Sequence, residues 1–296
     1  MSDSNRRSET IAIVGAGEMG AAVGQRMRET GARVLTSLKG RSPASVERVR
    51  RAQLEVIDDD DALMREAGFI LSIVPPGEAI AVGERFRAPL SGARQKPAFV
   101  ECNAVSPATV RRIADSLATT GVPFIDAGII GGPPPAGRVD RGPRFYASGP
   151  NAHLLNHLRT YGLDIAIVDG PVGAASALKM SYAGLTKGMI AVGAAMIGGA
   201  ARDGLGAALH AELARSQPEL LAMFARRIPA MFPKAYRWVA EMEQIAEFLG
   251  APGDGATIYT GAARFYDRVA EEWEHDGDAG SAHTALKSFL GATDKR

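Results

Sequence analysis

Short apolar runs alternate with polar segments along the first 170 residues of the chain. The apolar runs lie at 11–17, 33–38, 54–57, 69–74, 98–102, 123–128, 144–149 and 164–170. Runs of this length are typical of buried strands, and most of the intervening segments, such as 21–30 and 107–118, have helical spacing. Buried strands that alternate with helices predict a doubly wound α/β domain with a mainly parallel sheet.

The strand pattern ends at Pro171, and most of residues 172–290 have the spacing of helices. Glycine and proline interrupt this helical pattern near 204–206, 229–233 and 250–255. An α/β half followed by a helical half indicates two domains. We therefore predict an α/β domain at 1–170 and an all-helical domain at 171–296, joined by a helix that begins near Gly173.

The first apolar run continues into the sequence GAGEMG, which begins at Gly15 and precedes a helical segment. This order suits a dinucleotide, because Gly15 allows a tight turn, Gly17 lets a pyrophosphate approach, and Gly20 lets the helix pack closely. The pyrophosphate would lie on the amide groups at the start of the helix, beside Glu18 and Met19. We predict a Rossmann domain that binds a dinucleotide, with a purely structural glycine turn as the alternative.

The residues after the second apolar run indicate which dinucleotide is preferred. NAD sites usually have an acidic side chain there, which holds the ribose hydroxyls. This chain has no acidic residue between Glu29 and Glu47 and instead contains Lys39, Arg41 and Ser42. A guanidinium and a hydroxyl suit a 2′-phosphate, so we predict NADP in preference to NAD. A solvated loop is the alternative interpretation.

Composition narrows the classes of partner and compartment. The chain has 34 basic and 33 acidic residues and a formal charge of +1, which favours neither nucleic acid nor an anionic membrane. A single cysteine, Cys102, excludes an internal disulfide and fits a reducing compartment. The polar N-terminus indicates no secretory signal, and the longest uncharged apolar tract, 188–201, is too short for a membrane span. We expect a cytoplasmic protein, and the five scattered histidines predict no metal site.

Five motifs occur in an order that suggests a family. They are GAGEMG (15–20), IVPPG (73–77), ECNAVSP (101–107), DAGIIGGPPPAG (126–137) and GAASALKMSYAGLTKG (173–188). Together, over about residues 10 to 190, they resemble the β-hydroxyacid dehydrogenase superfamily, which includes 6-phosphogluconate dehydrogenase and, more distantly, imine reductases. The C-terminal part resembles a less characterised, phosphogluconate-dehydrogenase-like branch with its own helical C-terminal domain.

The resemblance implies roles for residues of the first domain. Val74 and Pro75 would lie along the cofactor, and Asn103 would lie near the nicotinamide and the substrate. Gly131 and Gly132 match a substrate-binding loop. Because Ile130 stands where relatives usually have a serine, one hydroxyl contact to a substrate carboxylate is missing.

Lys179 matches the catalytic lysine of the family. A partly desolvated amine can give a proton to a carbonyl oxygen and take it back, which is the role of a general acid and base. Relatives commonly have an asparagine four residues later, where this chain has Ala183. Tyr182 and Thr186 project near Lys179 on the helix and are candidates for the lost polar group, with Tyr182 as a predicted substrate contact. A lysine that merely extends to solvent is the alternative.

These features predict an NADP-dependent oxidoreductase that interconverts a small β-hydroxy acid, or a related alcohol, with its carbonyl form. The first alternative is an imine reductase, although such enzymes usually have Asp or Tyr in place of Lys179. The second is a decarboxylating sugar-acid dehydrogenase, with Arg226, Arg227 and Lys234 as candidate phosphate ligands. The third is a non-catalytic NADPH-binding protein.

A homodimer is also expected. The helix from about 173 to 202 is rich in Gly, Ala and Met on all sides. A helix that is apolar all round must be buried, and a domain of this size can scarcely enclose it alone. The resemblance likewise implies dimers whose helical domains pack together.

Overall fold

The computed structural model describes residues 10–57, 59–138, 140–250 and 252–291. The chain divides into two compact units, Met1–Met180 and Ser181–Arg296, which we call the first and the second unit. The division lies inside a long helix, after the predicted domain boundary at 170 and 171, because the start of this helix hydrogen-bonds to strands of the first unit. The ends of the two predicted domains, 1–9 and 292–296, lie outside the described residues.

One eight-stranded sheet forms the centre of the first unit. Its strands are β1 (Thr10–Val14), β2 (Arg33–Thr36), β3 (Glu55–Val56), β4 (Phe69–Ser72), β5 (Ala98–Glu101), β6 (Phe124–Ile130), β7 (Arg144–Ser148) and β8 (Asp164–Ile167). They are ordered β3-β2-β1-β4-β5-β6-β7-β8. All eight predicted apolar runs form strands, and the mainly parallel doubly wound sheet is confirmed. Only β6 and β7 pair antiparallel, a detail that apolar runs do not predict.

Helices cover both faces of this sheet. They are α1 (Glu18–Glu29), α2 (Pro43–Ala52), α3 (Asp60–Glu66), α4 (Ala79–Gly92) and α5 (Pro107–Leu117), with a 3₁₀ helix at Ala152–Tyr161. On one face Ile11 and Ile13 of β1 pack in a cluster with Met27 of α1. On the other face Val14 belongs to a cluster with Phe86 of α4. Burial on both faces explains why the strands are continuous apolar runs instead of alternating ones.

The remainder of the chain is helical, as the sequence predicts. The helices are α6 (Ala174–Arg202), α7 (Gly206–Ser216), α8 (Pro218–Arg227), α9 (Ala235–Phe248), α10 (Asp254–Asp276) and α11 (Ser281–Gly291). The three predicted interruptions coincide with the ends of α6, α8 and α9. Two further interruptions were not predicted. One separates α7 from α8, where Pro218 occupies the first turn of the new helix, and the other separates α10 from α11.

Helix α6 exposes an apolar stripe within the second unit. Leu185, Met189, Val192 and Met196 follow one another at intervals of four, three and four residues, and they expose 67, 46, 58 and 66% of their surfaces. The single chain therefore does not bury this helix on all sides.

By length and composition α6 is also able to cross a membrane. The uncharged tract 188–201 is only part of this 29-residue helix, whose most apolar 18-residue window has a mean hydropathy of 1.3 and is 44% buried. The core helix of a soluble protein meets the same criterion, so this property by itself is weak evidence for a membrane.

Candidate functional site

The glycine loop between β1 and α1 has the geometry that its sequence predicts. Gly15 has a φ of +101°, and a Cβ there would lie 2.2 Å from the carbonyl oxygen of Ile73. A Cβ on Gly20 would lie 2.0 Å from the carbonyl oxygen of Gly15. Both positions therefore exclude any side chain, which accounts for the first and last glycine of the motif.

The middle glycine leaves room for a ligand. A Cβ on Gly17 would have no neighbour within 4 Å, and Gly17 is exposed. It is the N-cap of α1 and offers no side-chain cap, so the first amide groups of the helix face the space in front of the loop. Glu18 is exposed, while Met19 packs partly into the core. An open cradle at a helix N-terminus fits the pyrophosphate of a dinucleotide.

Three cations line one small pocket beside this loop. Lys39, Arg41 and Arg85 surround it together with Gly15. Each guanidinium has an acidic neighbour, since Arg41 lies 3.4 Å from Glu78 and Arg85 lies 3.0 Å from Asp60.

The sequence identified Lys39 and Arg41 but missed Arg85. Arg85 belongs to α4, and nothing in the pattern of that helix distinguishes this arginine from Arg87. The topology of the sheet, with β4 beside β1, brings α4 to the pocket. Ser42 is exposed and caps α2, because its hydroxyl accepts a hydrogen bond from the amide of Ser45 at 3.3 Å.

Asn103 connects the ends of two neighbouring strands. Its Oδ1 accepts a hydrogen bond from the amide of Val74 at 2.6 Å, and its Nδ2 donates to Oγ of Ser72 at 2.9 Å. The side chain is almost completely buried. The bond between Asn103 and the amide of Val74 holds Val74 beside Gly15. Pro75, the next residue, is exposed. The predicted contact of Asn103 with nicotinamide and substrate stays a prediction.

The predicted substrate loop begins at the end of β6. Gly131 has a φ of +127°, and a Cβ there would lie 2.8 Å from Cα of Pro143, so only glycine fits. Gly132 is exposed, with open space around it. Ile130, the last residue of β6, is half-buried and provides no polar group.

Lys179 lies near the start of α6 and is half-buried. Its Nζ donates a hydrogen bond to the carbonyl oxygen of Ile129 at 2.6 Å. Glu101, the last residue of β5, pairs with Asp126 of the parallel strand β6. Ile129 comes three residues later on β6 and therefore lies beyond the end of β5. The amine is therefore at the carboxyl edge of the sheet, as are the glycine loop and Asn103, and ligands of open α/β sheets bind at this edge.

Two buried carboxyl groups lie beneath this edge on neighbouring strands. Burial raises the pKa of Glu101 to about 8, and the nearby Asp126 contributes in the same direction. Burial also raises the pKa of Cys102 well above its usual value.

Asp126, on the neighbouring strand β6, accepts hydrogen bonds from Ser148, Gly173 and Ser176. The sequence pattern did not identify Glu101 and Asp126 as a pair, because each acid lies within a run that predicts a buried strand.

The residues that follow Lys179 on α6 differ in exposure. Tyr182, the predicted substrate contact, is 47% exposed, whereas Ala183 is buried. The hydroxyl of Thr186 donates to the carbonyl oxygen of Tyr182 at 2.8 Å, a bond internal to the helix. The predicted contact of Tyr182 with a substrate stays a prediction.

Comparison with known proteins agrees with this arrangement. Residues 10–159, just over half of the chain, match the family described as the NAD binding domain of 6-phosphogluconate dehydrogenase. Residues 200–269 match a domain of unknown function, DUF1932. An uncharacterized 28.5 kDa protein in the 7S RNA 5′ region of Methanothermus fervidus is 29% identical over 182 residues, which are 62% of this chain and 67% of that protein.

Solved structures share the fold over nearly the whole chain. The conserved protein MTH1747 of unknown function, described as similar to 3-hydroxyacid dehydrogenases, is 26% identical, with a TM-score of 0.67 over 94% of this chain and 99% of its own. The 3-hydroxyisobutyrate dehydrogenase of Mycobacterium tuberculosis, solved with L-serine, is 18% identical, with a TM-score of 0.68 over 95 and 99%. The imine reductase of Myxococcus stipitatus is 18% identical, with a TM-score of 0.55 over 95 and 99%. The two matches of 18% identity show the shared fold, and the family match supports an NAD(P)-binding domain.

Proposed function

Because the chain belongs to the family of the NAD binding domain of 6-phosphogluconate dehydrogenase, we propose that it is an NADP-dependent oxidoreductase. It interconverts a small β-hydroxy acid, or a related alcohol, with its carbonyl form. The observation that carries this proposal is the position of Lys179. Its half-buried amine lies at the carboxyl edge of the sheet, held by the carbonyl oxygen of Ile129.

The cofactor would be held by the glycine loop and the pocket beside it. Gly15, Gly17 and Gly20 shape the cradle, and the amide groups at the start of α1 favour a pyrophosphate. The cations Lys39, Arg41 and Arg85 beside the loop would attract a doubly charged 2′-phosphate, and no acid among the lining residues would hold a bare ribose. When bound, the nicotinamide supplies or accepts the hydride.

Lys179 would transfer the proton that accompanies the hydride. An ammonium group has three N–H donors, and the bond to Ile129 directs one of them and fixes the orientation of the amine. In reduction the ammonium form of Lys179 would give a proton to the carbonyl oxygen of the substrate, and in oxidation the neutral amine would remove the hydroxyl proton. Val74 and Asn103, tied together at the ends of β4 and β5, would form the floor beneath the nicotinamide.

A coupled assay with NADPH and NADP over hydroxy acids, aldehydes and cyclic imines tests the proposal. We expect turnover of a hydroxy acid or its carbonyl form, and a loss of kcat of about 100-fold or more in Lys179→Met. Lys287→Met, which removes an exposed lysine, is the matched control. Near-normal kcat in a folded Lys179→Met variant would show that another group transfers the proton.

Imine reduction is the second candidate. The shared fold of an imine reductase favours it, as do Ile130 and Ala183, which replace two polar contacts to a carboxylate substrate. The presence of Lys179, where imine reductases usually have Asp or Tyr, favours a hydroxy acid as the substrate. Turnover of cyclic imines with no turnover of any hydroxy acid would establish the alternative.

We further propose that two copies associate through the apolar stripe of α6. Gly184 and Gly188 lie next to this stripe. A Cβ on Gly184 would lie 3.0 Å from the hydroxyl oxygen of Tyr259, and one on Gly188 would lie 3.2 Å from its ring. They help to form an apolar groove of about 650 Å³. Light scattering should give a dimeric mass, and Met196→Glu should give a monomeric one. A monomeric mass for the unaltered chain would refute the proposal.

A further inference from the structure

Asp126, in the middle of β6, is completely buried. Its Oδ2 accepts hydrogen bonds from Oγ of Ser148 at 2.7 Å, from the amide of Gly173 at 2.9 Å and from the amide of Ser176 at 3.2 Å. Its Oδ1 accepts a bond from Oγ of Ser176 at 2.6 Å. A carboxylate can accept several such bonds, and amide and hydroxyl donors supply all four of these.

Gly173 and Ser176 belong to the start of the helix that carries Lys179. A carboxylate at this position satisfies amide groups that have no partner within the helix and interacts favourably with the helix dipole. Gly173 has a φ of +108°, and a Cβ there would lie 2.8 Å from a guanidinium nitrogen of Arg111. The backbone therefore enters α6 in a conformation that glycine permits and Asp126 holds.

The same strand contacts Lys179 directly. Ile129, three residues after Asp126, accepts the hydrogen bond of the ammonium. Between them, a Cβ on Gly128 would lie 3.0 Å from both Cβ of Lys179 and the carbonyl oxygen of Ala175. Strand β6 thus contacts the beginning of α6 in two ways. Asp126 accepts hydrogen bonds from the first amides of the helix, and the carbonyl of Ile129 accepts one from the amine of Lys179. Gly128 lies between these two residues, at the point of closest approach.

We propose that Asp126 is the positioning residue for Lys179. It ties the start of α6 to β6 so that the amine meets the carbonyl of Ile129 and points to the carboxyl edge. The catalytic consequence rests on the proposed function, whereas the structural tie does not.

Glu101, which pairs with Asp126 across the sheet, provides a matched comparison. Its Oε1 accepts a hydrogen bond from the amide of Asn103 at 2.9 Å. Its Oε2 is buried without a hydrogen-bond partner among the residues that the structure describes. Because burial keeps Glu101 protonated at neutral pH, a glutamine reproduces its charge and its acceptor. An asparagine at 126 would instead remove the negative charge at the start of α6 and replace one acceptor oxygen by an NH₂ donor.

The test compares Asp126→Asn with Glu101→Gln, which make the same chemical change on neighbouring strands. For Asp126→Asn we expect kcat to fall about ten-fold or more, with the Kd of NADPH unchanged within about two-fold. The rate of reductive methylation of Lys179, referred to the exposed Lys287 in the same chain and read by mass spectrometry, should rise about five-fold or more as the amine is released. Glu101→Gln should change none of these quantities at pH 7.

Equal kcat and equal methylation rates in folded Asp126→Asn and unaltered protein would overturn the proposal, as would equal effects of the two variants. If Asp126→Asn does not fold, Ser176→Ala replaces it. That variant removes one donor and should raise the methylation rate of Lys179 to a smaller extent, and no rise would overturn the proposal. If the unaltered protein turns over no substrate, the proposed function fails, while the methylation rates still decide the role of Asp126.

Discussion

Buried acids are accommodated differently in the two units of this protein. In the first unit Asp126 accepts hydrogen bonds from amide and hydroxyl groups. In the second unit Glu241 forms a largely buried ion pair with Lys187, whose ammonium also lies 5.1 Å from the centre of the Trp238 ring. The hydroxyl of Tyr266 donates to the carbonyl oxygen of Lys187 at 2.6 Å.

This difference is the one expected between the proposed catalytic site and a core that holds helices together. Amide and hydroxyl groups donate to Asp126 and orient the backbone of α6, and Lys179 is held by a neutral carbonyl group. An amine held in this way can still exchange its proton with a substrate. The ion pair of Lys187 and Glu241 compensates two desolvated charges and connects α6 to α9, which is a structural role.

The largest expected effect tests the ion pair. Lys187→Met should lower the free energy of unfolding by about 3–5 kcal/mol, because it leaves Glu241 buried without its counter-charge. The double variant Lys187→Met with Glu241→Leu should recover most of this loss. Both are measured by urea unfolding followed by circular dichroism.

An exposed pair provides the control for this prediction. Arg144 and Asp164 form an ion pair in the first unit with half of each side chain exposed, so Arg144→Met should cost at most about 1 kcal/mol. Equal losses in the free energy of unfolding for Lys187→Met and Arg144→Met would mean that the burial of the ion pair of Lys187 and Glu241 has no energetic consequence.

An effect of similar size, spread over about three pH units, tests the protonation of Glu101. Its pKa is about 8 in the folded chain and near 4.5 in the unfolded chain. Between these values the folded state binds one more proton, so the free energy of unfolding should fall as the pH rises, by a little over ~1 kcal/mol per pH unit. Glu101→Gln removes this contribution, so its stability relative to the unaltered protein should increase from pH 5 to pH 8 and stay level above pH 8.

Urea unfolding of both proteins at several pH values measures this difference. A constant difference across the range would mean that Glu101 is ionised in the folded state. The contrast between the two units would then rest on Asp126 alone.

The smallest expected effect concerns Arg85. Arg85→Ala should weaken NADPH binding about ten-fold, or about 1.4 kcal/mol, and leave NADH binding nearly unchanged. Arg87→Ala is the matched control, since it removes another exposed arginine from α4. Equal losses for NADPH and NADH would assign Arg85 to the shared part of the dinucleotide. Fluorescence titration of the bound reduced cofactor measures both.

Local patterns predicted most of the fold and part of the site. The apolar runs predicted all eight strands, because a strand covered by helices on both faces has to be apolar throughout. The glycines at 15 and 20 could be assigned from their order, since close backbone contacts leave no space for a side chain. The sequence predicted that one domain could scarcely enclose α6, but it did not predict which face stays exposed, because a helix that is apolar on all sides gives no preference.

Sequence alone determined the order of strands and helices, the glycine cradle and the candidate lysine, since each depends on neighbours along the chain or on one matching motif. Tertiary structure alone decided which distant groups meet. It brought Arg85 to the pocket of Lys39 and Arg41, paired Glu101 with Asp126, and placed Asp126 at the start of the helix of Lys179. The physical reason is that the order of the strands in the sheet, which pairs residues far apart in the chain, sets these contacts.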